Sequence, residues 1–355
     1  MNDLATHHHE QALTPHTGQP RSIHRSRRRT ILAIAVLTVA ALAVSVTGMT
    51  GLYGAHLTRT FDNETTRIDH AFPDETARPP ATTDGSQNIL LMGSDSRESA
   101  AIVGAEAPTN QRTDSMMLLH IDADRQSVSV MSIMRDLWVP IPGHGEAKLN
   151  AAFAYGGSAL TVQTIENLLA VRIDHVAIID FEGFKYVTTA LGGVEVVSDR
   201  AFRSTAIDRD AAHDYVQGVN HLDGAEALAF VRERHAFTDA DFQRVKNQQA
   251  FLRGVLDTLI SRDTLTDPFR VSAVVAALAP YLSMDESLDA QSIVSLAVSL
   301  RDIRPDDLQF FTLPTAGTAT RAGQSVVELD TAALPAVQAA LQSDDLESFL
   351  TNRAS

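Results

Sequence analysis

Three strand-like runs lie between residues 88 and 136, and charged residues stand close to an end of each run. The first run, residues 89–92, is continuously apolar and is followed by Asp95 three positions later. Asp114 stands just before the second run, residues 116–121. If the two runs pair as antiparallel strands, the end of the first lies beside the start of the second. The sequence therefore predicts two carboxylates at one edge of a sheet.

The third run, residues 127–133, contains only small or apolar side chains, which is typical of a strand covered on both faces. Arg135 and Asp136 follow it. Antiparallel pairing with the second run would return these two residues to the same edge, and ligands usually bind where the strands of α/β sheets end. The Ser-Asp-Ser sequence at 94–96 is also typical of a turn or a helix cap, and an Arg-Asp pair of a solvated ion pair. The pattern alone leaves both interpretations open.

The composition is that of an ordinary globular protein with a full hydrophobic core. Of its 355 residues, 44% are hydrophobic and 21% are charged, which predicts one or two domains. The chain contains no cysteine, and this excludes disulfides, thiolate metal ligands and a cysteine nucleophile.

The first 53 residues have the pattern of a membrane anchor. Residues 1–29 are polar and end in an arginine-rich tract, whereas the 22 residues from 31 to 52 include no charged side chain. As a helix, this run is about 33 Å long, enough to cross a bilayer core. We predict a cytoplasmic basic tail at 1–29 and a transmembrane helix at 30–53, with the rest of the chain outside the cell membrane. A cleaved signal peptide is the alternative, but the run is longer than the usual apolar core of about 7–15 residues.

The charge of the remaining chain excludes non-specific nucleic-acid binding. The formal net charge is −15, and without residues 1–29 it is near −18. A domain this acidic repels nucleic acid and anionic lipid, so a local cluster of basic residues within it indicates a specific function. Residues 54–87 are rich in Pro and Thr and are predicted to be an extracytoplasmic stalk. The folded domain is predicted to begin near Asn88.

Helical and strand-like segments alternate after residue 150, which favours an α/β layered sheet. Helices are predicted at 158–170, 181–191, 224–231 and 241–261, with strands at 175–180 and 194–197. In the last of these helices Arg244, Gln248 and Leu252 are spaced by four and share one face, which suits a pocket wall.

Two arginines follow the helix predicted at 224–231. If the chain is extended there, Arg232 and Arg234 lie on one face because strand side chains repeat every two residues. Two planar guanidinium groups side by side could bind one phosphate-like anion. The structural alternative is a solvated face whose charge Glu233 balances.

Eight blocks in a fixed order extend this pattern across residues 88–260 and, more weakly, to 341. They read NILLMGSDSR, RTDSMMLL, SIMRDLWVPIPG, KLNAAFAYGG, DFEGF, LGGVEV, GVNHLDGAEALAFVRER and DFQRVKNQQ. With its single predicted span and basic tail, the chain resembles the LytR-CpsA-Psr family of cell-envelope proteins. The resemblance implies a three-layer α/β/α sandwich with a central mixed β-sheet. It also implies a domain at 88–345, with a core at 88–262 and a C-terminal extension at 263–345.

The activity that the resemblance implies is that of an extracytoplasmic, Mg²⁺-dependent phosphotransferase. Such an enzyme moves a glycopolymer from a polyprenyl-pyrophosphate carrier to peptidoglycan and forms a phosphodiester. By resemblance Asp95 and Asp114 bind Mg²⁺, for which Mn²⁺ could substitute. The pyrophosphate would be bound by five arginines: Arg112, Arg135, Arg232, Arg234 and Arg244. The catalytic group would comprise Arg135, Arg232 and Arg234 together with Asp136, which would serve as the general base or orient Arg135.

A lipid carrier also implies an apolar slot between the sheet and its helices. The candidate lining residues are Phe153, Leu168, Leu169, Phe181 and Phe184. The chain departs from the family pattern at Met134, where proline is usual, and at Asn247, where arginine is usual. A looser strand exit and one missing phosphate contact are therefore expected, although Asn247 could still donate a neutral hydrogen bond.

Two other functions are compatible with the same sequence. One is hydrolysis of the polyprenyl pyrophosphate, with water in place of the sugar hydroxyl. The other is a non-enzymatic, envelope-anchored regulator that binds the lipid-linked precursor. The expected partners are this precursor, peptidoglycan and the membrane, without nucleic acid, and the Ala-, Arg- and Asp-rich composition points to an actinobacterial wall.

Overall fold

The computed structural model describes residues 53–82, 84–94, 113–205, 212–261 and 267–354. Residues His56–Ser355 form one compact unit. The strands within the described ranges are β1 (Thr66–Arg67), β2 (Gln87–Ser94), β3 (Thr113–Ile121), β4 (Val128–Ile133), β5 (Trp138–Ile141), β6 (Gly145–Lys148), β7 (His175–Asp180), β8 (Val194–Ser198), β9 (Phe202–Arg203), β10 (Asp214–Tyr215), β11 (Gly218–Leu222), β12 (Leu282–Met284), β13 (Leu308–Thr312), β14 (Thr315–Arg321) and β15 (Gln324–Leu329). The helices are α1 (Asn150–Leu169), α2 (Phe181–Leu191), α3 (Gly224–Arg232), α4 (Ala240–Leu259), α5 (Pro268–Leu278), α6 (Ala290–Ser299), α7 (Leu334–Gln342) and α8 (Leu346–Ala354), and residues 56–64 are also helical.

A mixed seven-stranded sheet is the centre of the fold, with the strand order β1-β12-β7-β2-β3-β4-β13. Strand β3 pairs antiparallel with both β2 and β4, while β2 and β7 run parallel. The antiparallel pairing expected of the three runs between residues 88 and 136 is therefore confirmed, as is the central mixed sheet.

Helices cover both faces of this sheet. Side chains in a strand point alternately to its two sides, so the apolar residues of β2 pack against helices on both faces. Leu90 and Met92 of β2 belong to a core cluster shared with α1, α7 and α8. Leu91 packs on the other face, in a cluster with residues of α2 and α5. Ile89 lies on that same second face, where α4 and α6 pack. The molecule therefore has the three layers that the family resemblance implies.

A close backbone approach holds α4 against the small antiparallel sheet of β8 and β11. A Cβ atom at Gly254 of α4 would lie 2.3 Å from the carbonyl oxygen of Glu195 in β8, so only glycine fits there. Phe251 and Val255, on the same stretch of α4, share a core cluster with Val196 of β8. This contact fixes the position of α4, whose first turn contributes to the site described below.

Helix α1 is interrupted near its start, which explains why the sequence predicts a helix only from residue 158. Gly156 and Gly157 depart from helical dihedral angles, and φ of Gly157 is +61°. The predicted helix corresponds to the regular part after this kink. The helices at 181–191, 224–231 and 241–261 are also found, with bounds shifted by at most two residues.

The segment predicted as a stalk differs in the structure. Strand β1 pairs with β12 at one end of the central sheet. Ile68 and Ala71 are buried in the same core cluster as α1. The folded unit therefore begins before Asn88, because apolar residues within the Pro- and Thr-rich stretch find partners that are distant in sequence.

The predicted membrane span at 30–53 lies almost entirely outside the described residues, as does the basic tail at 1–29. Within the part of the chain that the structure describes, no helix combines the length and the hydrophobicity that a bilayer crossing requires.

A buried ion pair attaches the segment before β2 to α1. Arg78 donates to Glu166 over 2.7 Å, and their side chains are 5% and 0% exposed. Arg78 also donates to the carbonyl oxygen of Ile173, while Glu166 accepts from the amide of Ile173 over 2.9 Å. The two side chains of the pair are therefore hydrogen-bonded to each other and to the backbone of Ile173.

Replacing Arg78 with methionine leaves the Glu166 carboxylate buried without its counter-charge. We expect Arg78→Met to lower the free energy of unfolding by about 3–5 kcal/mol, measured by urea denaturation. Arg172→Met is the matched control, because Arg172 pairs with the exposed carboxylate of Glu75 and its loss should matter much less. Equal destabilisation by both substitutions would contradict this interpretation.

Candidate functional site

The ends of four strands meet at one edge of the central sheet. Strand β2 ends at Ser94, which is paired with Thr113 at the start of β3 and with Asp180 at the end of β7. Ile133, the last residue of β4, is paired with Met116 near the start of β3. Arg135 and Asp136 follow Ile133 after one intervening residue, Met134. The edge predicted from the three runs is therefore present.

Two of the predicted residues at this edge, Asp95 and Arg112, lie outside the described residues. The backbone of Asp114 is described, and it lies at an irregularity in the β2–β3 pairing. Gly93 pairs with Ser115 and Ser94 with Thr113, so Asp114 is the extra residue on its strand. Such bulges are frequent beside active sites, where they change the direction of the chain.

Two buried oxygen atoms at the same edge have no hydrogen-bond partner among the described residues. They are Oδ2 of Asp180 and Oγ1 of Thr113. The other carboxylate oxygen of Asp180 accepts from the amide of Glu182 and caps α2. Buried oxygens that lack a hydrogen bond fit a hard cation such as Mg²⁺, whose preferred ligands are oxygens. The sequence analysis missed Asp180, although a carboxylate at a strand end was the available signal.

A polar cleft of about 470 Å³ opens next to the end of β4. It lies between the β4–α1 connection and the segment from the end of α3 to the start of α4. Its lining residues are Arg135, Asp136, Lys148, Asn150, Arg234, His235, Ala240 and Asp241. The structure thus brings together three residues of the predicted catalytic set, namely Arg135, Asp136 and Arg234.

Asp241 holds two of the predicted arginines in place. Its carboxylate lies 3.4 Å from Nη2 of Arg135 and 3.2 Å from Nη2 of Arg244. Burial opposes ionisation of Asp241, but the charges of Arg244 and Arg135 outweigh it and hold its pKa below the ordinary value. Arg244 is 5% exposed and lies behind Asp241. The sequence analysis missed Asp241, whose position three residues before Arg244 in a helix was the available signal.

Asp136 differs from Asp241 in its electrostatic environment. Burial raises the pKa of Asp136 above its ordinary value, against the charges of Arg135 and Lys148, and a hydrogen bond with Asp241 adds to the rise. Nζ of Lys148 lies 3.3 Å from Oδ1 of Asp136. The hydrogen bond between the two carboxyl groups requires one proton, and Asp136 is the group that binds it more readily.

Arg232 and Arg234 are arranged differently from the sequence expectation. Helix α3 continues through Arg232, so residues 231–234 are not an extended run, and the common face predicted for the two arginines lacks its basis. Helical bonding persists to the end of α3, because the amide of Glu233 still donates to the carbonyl of Ala229. Arg234 lines the cleft, whereas Arg232 is the half-buried last residue of α3.

Glu233 organises this turn instead of balancing the arginines. Its side chain is 2% exposed and accepts hydrogen bonds from the backbone amides of Thr205, His235 and Ala236. These bonds hold the pKa of Glu233 below its ordinary value in spite of burial. The structural alternative of a solvated face around Glu233 is therefore wrong, because Glu233 anchors the backbone that presents Arg234.

The two departures from the family pattern are accommodated by packing. Met134 is 2% exposed within the main core, and the amide of Leu137 donates to its carbonyl, so the exit of β4 is a packed turn and not a loose one. Asn247 is also buried, and its Nδ2 lies 3.4 Å from the carbonyl oxygen of Phe230. The amide of Asn247 thus contacts the end of α3, so the neutral hydrogen bond expected of this residue is made to the protein backbone.

An apolar cavity of about 200 Å³ begins at the same sheet edge. Gly93 and Ser115 line one part of it, and Phe184, Gln248 and Leu252 line another. The predicted pocket wall on α4 is confirmed for Gln248 and Leu252, and the candidate Phe184 is also in place.

Three other candidates for the apolar slot face the opposite side of the sheet. Phe153, Leu168 and Leu169 belong to the core cluster on the α1 side. Their helix covers the face of the sheet that the cavity does not touch. The side chain of Phe181 lies outside the described part of the structure.

Comparison of the sequence with known proteins identifies the family to which the chain is similar. The model of the LytR_cpsA_psr family matches residues 52–343. The cell wall biosynthesis protein LcpA of Corynebacterium glutamicum is 28% identical, with 70% of this chain and 54% of that protein covered. The Bacillus subtilis polyisoprenyl-teichoic acid–peptidoglycan teichoic acid transferase TagT is 32% identical, with 65% and 70% covered. The chain thus spans about half the length of LcpA.

The fold is also similar to solved structures. The structure of TagT bound to LI-WTA superimposes with a TM-score of 0.57 at 25% sequence identity, covering 77% of this chain and 98% of that one. The mixed sheet with helices on both faces is therefore the architecture of these proteins.

The cleft should bind inorganic pyrophosphate through Arg234. We expect Arg234→Gln to weaken this binding about 10- to 100-fold, because a hydrogen bond to a charged group contributes about 1.5–3 kcal/mol. Isothermal titration calorimetry measures the change. Arg203→Gln is the matched control, since Arg203 is exposed and pairs with Asp214 away from the cleft lining. Equal affinities of the two variants would contradict a role for Arg234 in anion binding.

Proposed function

Because the chain belongs to the LytR-CpsA-Psr family, we propose that it transfers a glycopolymer from a polyprenyl-pyrophosphate carrier to a hydroxyl of peptidoglycan. The observation that carries this proposal is the position of the polar cleft and the apolar cavity at one sheet edge. A polyprenyl pyrophosphate has a diphosphate and a hydrocarbon chain, and the two spaces match these two parts. The relatives named as teichoic acid transferases support the same chemistry.

The charge of the cleft suits a diphosphate. Arg135, Lys148 and Arg234 line it, and Arg244 lies behind Asp241. These cations outnumber the carboxylates of Asp136 and Asp241, in a chain whose net charge is −15. Fixed cations that are already in place when charge develops on the transferred phosphoryl group stabilise the transition state.

In the proposed reaction an acceptor hydroxyl attacks the phosphorus atom next to the glycan. A new phosphorus–oxygen bond forms, and the bond to the second phosphate breaks. Polyprenyl phosphate leaves, and the glycan remains joined to peptidoglycan through a phosphodiester. The proton of the hydroxyl passes to Asp136.

The salt bridges of Asp241 favour Asp136 as the general base. Asp241 already positions Arg135 and Arg244, so Asp136 is not needed to orient Arg135. A carboxylate with a raised pKa is also a better proton acceptor. We assign Asp136 the role of base and Asp241 the role of a positioning residue.

We propose that Mg²⁺, or Mn²⁺ in its place, is held by Asp95 and Asp114. Asp180 and Thr113 would add buried oxygens at the same edge. When bound, the ion would supply positive charge to the pyrophosphate oxygens. We further propose that the span at 30–53 anchors the protein in the cell membrane, with the tail at 1–29 in the cytoplasm and the domain outside.

The test uses the purified full chain in detergent with polyprenyl-pyrophosphate-linked N-acetylglucosamine and uncrosslinked peptidoglycan. We expect Mg²⁺-dependent formation of the phosphodiester product and at least a 100-fold loss in Arg135→Ala. Arg203→Ala, which removes an exposed arginine, should keep full activity. Mass spectrometry of the digested peptidoglycan detects the product.

Two outcomes would replace the proposal with the alternatives. Release of polyprenyl phosphate at the same rate with and without peptidoglycan would indicate a hydrolase. Normal wall assembly but altered transcription after deletion of residues 1–29 would favour a regulator.

A further inference from the structure

A second group of metal-ligating side chains lies at the opposite edge of the central sheet. His120 is the penultimate residue of β3 and is paired with Asn88 near the start of β2, whereas the cleft adjoins the start of β3. Asp122 follows β3, and Asp344 comes from the turn between α7 and α8. The ligand atoms of His120, Asp122 and Asp344 all lie within 4.8 Å of one another.

The two carboxylates converge on one nitrogen of His120. Nε2 of His120 lies 2.9 Å from Oδ1 of Asp344 and 3.7 Å from Oδ1 of Asp122. His120 is 1% exposed. The buried Oδ1 of Asp122 accepts no hydrogen bond within the part of the chain that the structure describes.

The hydrogen bonds of Asn88 determine which nitrogen of the neutral imidazole ring carries the proton. Nδ2 of Asn88 donates to the carbonyl of Arg172 over 2.9 Å. Oδ1 of Asn88 therefore accepts from Nδ1 of His120, which is also 2.9 Å away. In the neutral ring Nε2 then presents a lone pair to the carboxylate of Asp344. Two acceptors at hydrogen-bond distance repel each other unless a positive charge lies between them.

A proton on Nε2 of His120 would serve only one of the two carboxylates. It would be donated to Oδ1 of Asp344 at 2.9 Å and would leave the buried Oδ1 of Asp122, 3.7 Å from Nε2, without a hydrogen bond. A metal ion among the three ligand atoms, which all lie within 4.8 Å of one another, would contact both carboxylates and the imidazole nitrogen at once. Asp345 and Glu347 add further negative charge nearby.

We propose that His120, Asp122 and Asp344 bind a divalent transition-metal ion, Zn²⁺ or Mn²⁺, at this far edge of the sheet. One imidazole nitrogen and two carboxylate oxygens suit these ions, whereas Ca²⁺ and Mg²⁺ favour oxygen-only sites. Asn88 orients the imidazole ring from behind, as partners of metal-bound histidines commonly do. This site is separate from the one proposed for Asp95 and Asp114.

The bound ion would join the end of β3 to the C-terminal helices. Asp344 already accepts from the amide of Ala123 over 3.0 Å, so its turn is docked against the residues after β3. Its φ of +55° is a left-handed conformation that Asp adopts at some cost. The ion would therefore fasten α7 and α8 to the sheet and offset the repulsion among the acidic side chains.

The variant Asp344→Asn separates metal binding from folding. Asparagine tolerates the left-handed conformation, and its Oδ1 can still accept from Ala123. Its Nδ2 can donate to Nε2 of His120, so the metal-free variant should be at least as stable as the metal-free parent. Asp345→Asn is the matched control, because it removes one charge from an exposed neighbouring residue outside the cluster.

The measurement is equilibrium dialysis of the full chain in detergent, stripped with EDTA and titrated with Zn²⁺ alone or Mn²⁺ alone. All variants carry Asp95→Ala and Asp114→Ala, so the metal site proposed for those two residues does not contribute to the binding measured. The result for the His120 cluster therefore does not depend on whether that other site exists. We expect Asp345→Asn to bind one equivalent of metal ion that Asp344→Asn does not bind. The midpoint temperature of thermal unfolding should rise on addition of metal only in Asp345→Asn. Equal binding by the two variants, or no binding by either, would overturn the proposal.

Discussion

The antiparallel pairing of β3 with β2 and β4 is the constraint on which the rest of the site depends. It returns the end of β4 to the edge where β2 ends and β3 begins, and β7 ends at that edge because it runs parallel to β2. A register shift of one residue would exchange the two faces of a strand and separate the apolar cavity from the edge. The alternating burial of β2, with Leu90 and Met92 on one face and Leu91 on the other, opposes such a shift.

Two carboxylates, the half-buried Asp241 and the buried Glu233, position the basic groups around the cleft. Asp241 binds Arg135 and Arg244, while Glu233 binds the backbone that presents Arg234. Each carboxylate is stabilised by the groups that it holds, because isolated charges in the protein interior are strongly unfavourable. The cleft is therefore organised before any ligand binds, which limits the reorganisation that the proposed reaction requires.

The local parts of this arrangement could be predicted from the sequence, because strands and helices have short hydrophobic periods. The runs around residues 89–92 and 116–121 and the helix that carries Arg244 are examples. Contacts between residues that are distant in sequence leave no periodic pattern. Examples are the ion pair of Asp241 with Arg135 and the packing of the segment around Ile68 against α1. The sequence alone permitted an extended conformation at Arg232, because the residues of the last turn of a helix are too few to show helical periodicity. The same residues are also compatible with the start of a strand. The His120 cluster needs Asp344, more than 200 positions later, and so was invisible to spacing.

We propose that one edge of the sheet joins a diphosphate-binding cleft to a cavity for a hydrocarbon chain. A crystal structure of the protein with Mn²⁺ and geranyl pyrophosphate tests this proposal. We expect the diphosphate beside Arg135 and Arg234, an anomalous manganese peak near the ends of β2 and β7, and the geranyl chain against Phe184 and Leu252. A diphosphate bound away from this edge, or a geranyl chain on the α1 face of the sheet, would contradict it.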